Sequence, residues 1–380
     1  MTEVRVALQL NEDYCSNCSI CSSLCPFEAL TRRDGKTFLE IEKCHVCGIC
    51  YSSCPAKALS IDYYDIDSLV SYIKESKRDS DANALVIMCK GSASDFTLPQ
   101  ELFGVSKFIP LSVPCVGRIP EEIFLSAVTI GIRKIYVLAC QEGFCRFKKG
   151  SLIAGRKIKA LNLLLEQLGY GKEVISLKQN TPKVVADRDR CIKCGNCVFY
   201  CPYNAAKLES PEAAEFDLEA CQGCGLCVAV CPAMALQLEG WEKERISVLL
   251  SKLFSEKKPK ILVFRCQWAA FPPLFPPLKE EPDGNVGIID LPCAGRVDAL
   301  HILEAFNKGV DGILIVACPE EECKLKEGSK VAQLQVKALK EKLSQIGFEE
   351  RLHLCTISPR YPQSFSSELR QFKQRLAGKW

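Results

Sequence analysis

One cysteine spacing, Cys-x2-Cys-x2-Cys-x3-Cys-Pro, occurs four times in this chain of 380 residues and constrains its fold more than any other feature. The four copies use sixteen of the 25 cysteines. Three thiolates spaced two residues apart lie on a tight loop that can cover three corners of one iron-sulfur cube. The spacing therefore predicts loops that wrap inorganic clusters.

The copies form two adjacent pairs, and this arrangement predicts which cysteines share a cluster. In the bacterial two-cluster ferredoxin motif, the fourth cysteine of each run binds the cluster of the other run. The four predicted 4Fe-4S ligand sets are Cys15, Cys18, Cys21 and Cys54; Cys44, Cys47, Cys50 and Cys25; Cys191, Cys194, Cys197 and Cys231; and Cys221, Cys224, Cys227 and Cys201. The proline after each fourth cysteine suits the first turn of a short helix.

Structural zinc and disulfides are the alternatives for these cysteines. Zinc ribbons use two separated Cys-x2-Cys pairs, whereas here a triplet is followed by Cys-Pro. Disulfides need an oxidising compartment, and the N-terminal sequence MTEVRVALQLNEDYC has charges where a signal peptide needs an apolar core. No apolar run approaches the roughly 18 residues that span a bilayer. We therefore expect a cytoplasmic protein without membrane insertion.

Length and charge limit the classes of partner. A chain of 380 residues is too long for one compact core and predicts roughly two to four domains. Lys and Arg number 49 against 46 Asp and Glu, a balance that carries no nucleic-acid signature. Each oxidised four-thiolate cluster adds about two negative charges, so the loaded chain would be acidic. A protein is the expected partner.

The cysteines outside the four runs indicate a tandem repeat. Two sets of four recur at an offset of 177 or 178 positions, namely Cys89, Cys115, Cys140 and Cys145, and Cys266, Cys293, Cys318 and Cys323. Around them, VPCVGR matches LPCAGR, and VLACQEGFCRFKKGS matches IVACPEEECKLKEGS. A period near 177 residues predicts an internal duplication. The predicted domains are 1–63 and 181–240, of ferredoxin type, and 64–180 and 241–380, of a second type.

The second type of module is interpreted as α/β, because short branched apolar runs alternate with longer amphipathic ones. Strands are predicted at ALVIMC, FIPLSV, KIYVLAC and KEVISL, and in the second copy at ILVFRC, VGIIDL, GILIVAC and RLHLCTI. Helices are predicted at 64–78, 120–130 and 151–169, with Ser151 as N-cap, and at 241–256, 298–308 and 329–346. The alternation predicts a small parallel sheet covered by helices, of flavodoxin-like or Rossmann-like type.

Several cysteines of this module fall at or just past the carboxyl ends of predicted strands, the edge where open α/β sheets place their ligands. The four cysteines of each module either bind a four-thiolate cluster, form a redox dithiol or zinc site, or are buried core residues. Gly117 and Gly295 permit close backbone approach. Arg118 and Arg296 either offset cluster charge or are ordinary surface arginines. These four residues are candidate cofactor-binding positions.

Two features have no counterpart in the repeat. Cys355 has no partner at a matching position and is predicted to be a buried structural thiol. The PPLFPPL segment at 272–278 is interpreted as an exposed, stiff surface loop, with a docking element as the alternative.

The Cys, Pro-Cys-x-Gly-Arg and Ala-Cys-x4-Cys elements at about 85–178 and 262–357 resemble the delta subunit of methyl-viologen-reducing hydrogenase, which also occurs fused to heterodisulfide reductase-like subunits. The resemblance implies a 2Fe-2S cluster at each set of four cysteines. It also implies electron transfer from a hydrogenase, a formate dehydrogenase or a ferredoxin to a flavin-containing, heterodisulfide reductase-like partner within a larger complex.

These features predict an electron-transfer subunit with four 4Fe-4S and two 2Fe-2S clusters and no substrate-converting site of its own. No Gly-x-Gly-x-x-Gly fingerprint follows a strand and no P-loop is present, so nucleotide sites are not expected. Two other functions stay open. The chain could be a reductase with a reactive dithiol or cluster in one α/β module, or a redox sensor.

Overall fold

The computed structural model describes residues 5–210, 212–256, 260–271 and 285–377. The PPLFPPL segment lies outside these residues. The chain divides into two compact units, one built mainly from residues up to Thr181 and the other mainly from residues after it.

The first unit begins with a ferredoxin-type part made of short elements. These elements are β1 (Leu8–Leu10), α1 (Ile20–Leu24), β2 (Leu30–Arg33), β3 (Lys36–Leu39), a 3-10 helix (Ile41–Lys43), α2 (Ile49–Ser52) and β4 (Leu59–Ile61). Strand β1 pairs antiparallel with β4, and β2 with β3. The helices are short because each lies within a run of cysteines, where it carries the third cysteine and ends before the fourth.

A four-stranded α/β part completes the first unit. Its elements are α3 (Ile66–Arg78), β5 (Ala84–Cys89), α4 (Thr97–Phe103), β6 (Ile109–Val113), a 3-10 helix (Val116–Arg118), α5 (Glu121–Thr129), β7 (Lys134–Cys140), α6 (Gly150–Gln167) and β8 (Ile175–Asn180). The sheet is parallel throughout, in the order β6-β5-β7-β8. Every residue of β5 is buried, as expected of a central strand covered on both faces.

The second unit also begins with a ferredoxin-type part. It contains β9 (Val184–Ala186), α7 (Asn196–Phe199), β10 (Ala206–Lys207), β11 (Glu215–Phe216), α8 (Leu226–Ala229) and β12 (Leu236–Leu238). Strand β9 pairs antiparallel with β12, and β10 with β11.

The α/β part of the second unit has the sheet order β14-β13-β15-β16, again parallel. Its elements are α9 (Lys243–Glu256), β13 (Ile261–Cys266), β14 (Val286–Leu291), a 3-10 helix (Ala294–Arg296), α10 (Ala299–Asn307), β15 (Gly312–Ala317), a 3-10 helix (Glu320–Glu322), α11 (Gly328–Leu343), 3-10 helices (Ser344–Ile346 and Glu349–Arg351), β16 (Leu352–Thr356) and α12 (Ser364–Ala377).

The predicted parallel sheets and their helices are confirmed, with two omissions and one correction. Helices α4 and α12 were not predicted. The prediction of Ser151 as N-cap is wrong, because α6 already begins at Gly150 and Ser151 lies inside its first turn. Cys355 lies buried on β16, as predicted.

Candidate iron-sulfur sites

The four cysteines of one predicted ligand set line a single cavity in the second unit. The cavity has an empty volume of about 340 Å³ including its open mouth, and its walls include Cys191, Cys194, Cys197 and Cys231. The loop reaches this shape through left-handed backbone at Lys193 and Gly195, after which α7 begins. The fourth cysteine of this cavity wall comes from the other run of the pair.

A second cavity of about 360 Å³ contains the other predicted set of this unit. Its cysteines are Cys201, Cys221, Cys224 and Cys227. The backbone N–H of Ala205 donates a hydrogen bond of 3.3 Å to Sγ of Cys201. Backbone donors to sulfur stabilise thiolates and the clusters that thiolates bind. Both cavities are lined mainly by apolar side chains besides the cysteines.

In the first unit, the electrostatic effects of the thiols on one another indicate which cysteines lie close together. Burial raises the pKa of Cys21, and the nearby thiols of Cys54, Cys15 and Cys18 raise it further. Burial likewise raises the pKa of Cys50 well above its ordinary value, and the thiols of Cys47, Cys44, Cys25 and Cys21 raise it further. Cys54 is thus close to a first-run thiol, and Cys25 is close to a second-run thiol.

Each of the two cavities in the second unit is walled by the four cysteines of one predicted ligand set. No group of three or more His, Cys, Asp or Glu side chains within the described ranges could hold a metal ion. A single zinc ion would draw its sulfur ligands to about 2.3 Å from one point, whereas a cluster holds its thiolates apart by its own width. Cavities walled by four cysteines supply the thiolate donors that an iron-sulfur cluster requires.

The four remaining cysteines of the first unit converge at the carboxyl edge of its sheet. Cys89 ends β5, Cys140 ends β7, and their Sγ atoms are 3.4 Å apart. Cys115 lies just past β6 and donates a hydrogen bond to Cys145, which lowers the pKa of Cys145 to about 5. Three of the four thiols are fully buried. This geometry fits a cluster bound by four thiolates at the sheet edge.

The N-terminus of α6 supports this site. Backbone N–H groups of Ser151 and Phe147 donate to Cys145 and contribute to the low pKa of its thiol. At Gly150, a Cβ atom would lie 2.1 Å from Sγ of Cys115. Glycine is therefore required where the helix begins, and the helix dipole favours the negative charge of a thiolate there.

The second unit repeats the arrangement. The four thiols of Cys266, Cys293, Cys318 and Cys323 are linked by hydrogen bonds, with Cys293 and Cys318 both donating to Cys323. Those donations lower the pKa of Cys323, and the backbone N–H groups of Leu325 and Ser329 lower it further. A Cβ atom at Gly328 would lie 2.1 Å from Sγ of Cys293.

Gly117 and Gly295 are tightly packed against the helices that support these sites. A Cβ atom at Gly117 would lie 2.5 Å from the carbonyl oxygen of Gly150. At Gly295 it would lie 2.4 Å from Leu226 and 2.7 Å from the carbonyl oxygen of Gly328. The expected close backbone approach is present, and it brings the Cys-x-Gly-Arg turn against the helix N-terminus.

Arg118 and Arg296 are not surface arginines, because their exposed fractions are 1% and 0%. Arg118 donates through Nη2 to the carbonyl oxygen of Tyr63 and lies 5.2 Å from the centre of the Tyr64 ring. Arg296 donates through Nη2 to the carbonyl oxygen of Trp241 at 2.9 Å. The surface alternative for both residues is therefore wrong.

Within each unit the ferredoxin-type part contacts the sheet-edge site directly. In the second unit, Cys224 and Cys293 pack in the same buried cluster together with Leu226. In the first unit, the negative charge of an ionised Cys47 thiol raises the pKa of Cys115. The sites of the two parts are thus neighbours.

Two lysines outside the predicted sites connect the α/β part of each unit to its ferredoxin-type part. Nζ of Lys148 donates to the carbonyl oxygen of Pro26 at 3.0 Å, and Nζ of Lys326 donates to that of Pro202 at 3.3 Å. Both lysines occupy matching positions in the repeated segments FKKGS and LKEGS. The recurrence of this lysine in both copies is the sequence feature that could have predicted the contact.

Comparison with protein families assigns the class of both kinds of part. Models described as "4Fe-4S dicluster domain" match residues 14–59 and 184–238, so the chain is an iron-sulfur protein. The model described as "Methyl-viologen-reducing hydrogenase, delta subunit" matches residues 87–192 and 261–378, more than half of the chain. The chain belongs to that family.

Similar proteins come from two groups. The chain is 28% identical over 317 residues to a component of the ferredoxin/F(420)H(2)-dependent CoB-CoM heterodisulfide reductase of Methanosarcina acetivorans, a match that covers 80% of this chain and 37% of that protein. It is 30% identical over 120 residues to an iron-sulfur component of the F420-non-reducing hydrogenase of Archaeoglobus profundus, covering 31% of this chain and 88% of that protein. The chain thus spans little more than a third of the length of the heterodisulfide reductase protein.

None of the helices in the described ranges is both long enough and apolar enough to cross a membrane.

Proposed function

We propose that this chain is an iron-sulfur electron-transfer subunit in which each unit carries three clusters. Two are 4Fe-4S clusters in the ferredoxin-type part, bound by the cross-paired cysteines. The third is a 2Fe-2S cluster at the four cysteines of the sheet edge. The chain would hold four 4Fe-4S and two 2Fe-2S clusters in four domains, arranged as two copies that arose by internal duplication.

The proximity of Cys224 and Cys293 carries the proposal. These residues belong to different predicted ligand sets and pack in one buried cluster. A cluster bound by the second run would therefore lie close to a cluster bound at the sheet edge. The Cys47 and Cys115 thiols have the corresponding relation in the first unit.

Metal analysis of anaerobically purified protein tests the cluster count. Six clusters of the proposed types require about 20 irons and as many sulfides per chain. Roughly 16 irons, with no 2Fe-2S signal in the EPR spectrum after reduction, would remove the sheet-edge clusters from the proposal. Turnover of a small molecule by the isolated chain would favour a dithiol reductase instead.

The proposed partners follow from the family resemblance. A hydrogenase, a formate dehydrogenase or a ferredoxin would reduce the chain, and a flavin-containing, heterodisulfide reductase-like protein would accept its electrons within a hetero-oligomeric complex. Anaerobic affinity purification with identification of the bound proteins tests this proposal. Recovery of the chain alone, with all clusters intact, would contradict it.

A further inference from the structure

In each unit a buried arginine lies between the second-run cysteines and the sheet-edge cysteines. Arg118 and Arg296 each follow a sheet-edge cysteine by three residues and end the 3-10 helix beyond it. The backbone of each arginine therefore lies beside the sheet-edge site. The arginine side chain extends from this backbone to the ferredoxin-type part.

The arginine side chains pack against the glycine inside the second run. A Cβ atom at Gly48, which follows Cys47, would lie 3.0 Å from Nε and Cζ of Arg118. A Cβ atom at Gly225, which follows Cys224, would lie 2.7 Å from Cδ of Arg296. Both glycines have left-handed backbone, so the close packing and the loop conformation each require glycine. The same relation occurs in both units.

Each guanidinium is incompletely hydrogen-bonded although it is buried. Nε and Nη1 of both arginines have no hydrogen-bond partner among the described residues. A buried cation with unused donors is costly unless negative charge lies close to it. The groups around Arg118 that carry such charge when ionised include Cys47 and Cys115, one from each predicted cluster site. Beside Arg296 the strongest such group is the carboxylate of Asp298, which also pairs with Lys243, and Cys227 follows.

We infer that Arg118 and Arg296 are positioning residues that hold one positive charge between the two cluster sites of each unit and raise the reduction potentials of both. This inference rests on the proposed function. Each electron that enters a cluster adds one negative charge, and a fixed cation in a buried setting stabilises that reduced state. The unused N–H groups would donate to sulfur, which has the same effect.

The test is a redox titration followed by EPR on the anaerobically purified full chain. Arg118→Gln removes the charge and keeps part of the hydrogen-bonding capacity. Two clusters should respond, namely the second-run cluster and the sheet-edge cluster of the first unit. At a fixed potential near the midpoint, the ratio of reduced to oxidised cluster is expected to fall at least tenfold for each, which corresponds to a decrease in reduction potential of about 59 mV for one electron. Clusters of the other unit, next to unchanged Arg296, provide an internal reference.

Two further variants separate charge from structure. Arg118→Lys keeps the charge and is expected to hold its iron and to change the ratio less than threefold. Arg78→Gln, at an exposed residue of α3, is the matched control and is expected to leave all potentials unchanged. Arg296→Gln should produce the same shift in the second unit.

The inference is overturned if iron-replete Arg118→Gln titrates as the wild type does. It is also overturned if Arg118→Lys loses as much iron as Arg118→Gln or lowers the reduction potentials as much, because the residue would then be needed only for packing. Absence of reducible clusters in the wild type would instead refute the proposed function.

Discussion

Gly150 and Cys115 are packed so closely that a Cβ atom on the glycine would lie 2.1 Å from the cysteine Sγ atom. Gly328 and Cys293 have the same separation. The first residue of α6 or α11 thus sets how near the helix N-terminus comes to the sheet-edge cysteines. Any side chain at these positions must move either the helix or the sulfur.

Replacing Gly150 by alanine should therefore disrupt the sheet-edge site of the first unit. We expect Gly150→Ala to lose about two irons per chain, since one 2Fe-2S cluster is affected. Iron analysis and the EPR signal of the reduced 2Fe-2S cluster measure this loss. Gly155→Ala, in the same helix, is the matched control because its Cβ atom would lie 3.6 Å from Leu177, an ordinary contact.

The control should keep all its iron and gain roughly 0.5–1 kcal/mol of stability, because alanine favours the helix more than glycine does. Equal iron content in the two variants would contradict the role assigned to Gly150.

The sequence predicted the sheets well because their central strands β5, β13 and β15 are buried throughout and consist largely of apolar residues. It did not predict α4, whose sequence TLPQELF has no helical periodicity long enough to detect. Ser151 was expected to cap α6, since serine after glycine is a common helix start. In the fold, α6 starts one residue earlier, at Gly150, and the backbone N–H of Ser151 donates to Sγ of Cys145.

Crossed pairing of the runs makes a second prediction. Cys25→Ser should remove the same EPR signal as Cys47→Ser, because Cys25 lies with the second run. It should leave intact the signal that Cys18→Ser removes, although Cys18 is closer in sequence. Spectra of the three single variants, reduced to the same potential, decide the matter. Loss of the Cys18-dependent signal in Cys25→Ser would mean that each run holds its own cluster.

The lysine contacts between the two parts of each unit give a third prediction. Lys148→Met removes the hydrogen bond to Pro26 and the cation 5.0 Å from the centre of the Phe27 ring. We expect a loss of about 1 kcal/mol in the free energy of unfolding. Denaturant titration followed by cluster absorbance measures it.

Lys149→Met changes the neighbouring exposed lysine and serves as the control. The same loss in both variants would indicate a general charge effect rather than the contact with Pro26. Lys326→Met is the equivalent change in the second unit.

His353 on β16 predicts a pH dependence of stability. Burial lowers the pKa of its imidazole to about 4, and the charges of Arg375 and Lys340 lower it further. Because this folded-state pKa is below the unfolded value of about 6.5, protons bind the unfolded chain first as the pH falls. The stability contribution is therefore present above pH ~6.5 and is lost as the pH falls towards about 4.

The half-buried position of His353 leaves part of this effect screened by solvent, so we expect a loss of about 1–2 kcal/mol. Denaturant midpoints of the wild type and His353→Gln at pH 7.5 and 5.0 measure it. The wild type should lose more stability than the variant, and the difference between them removes any acid lability that the clusters share. Parallel losses in both proteins would show that His353 is not responsible.

The cysteine ligand sets could be proposed from spacing alone, but the position of the arginines could not. Spacing places Arg118 three residues after Cys115 on a turn, where an exposed side chain is as common as a buried one. Its burial depends on Gly48, which belongs to the other part of the unit and is distant in sequence. The hydrogen bond from Lys148 to Pro26 likewise joins residues that are distant in sequence.

Solvent exposure differs sharply between the cysteine runs of each pair. Cys18 and Cys194, in the first runs, are exposed, whereas Cys47 and Cys224 are only 7% and 8% exposed. Dissolved oxygen reaches exposed cluster sulfur first. On brief contact with air, we expect the first-run clusters to degrade while the buried pair of sites in each unit survives, so oxidative damage would leave the connection inside each unit intact.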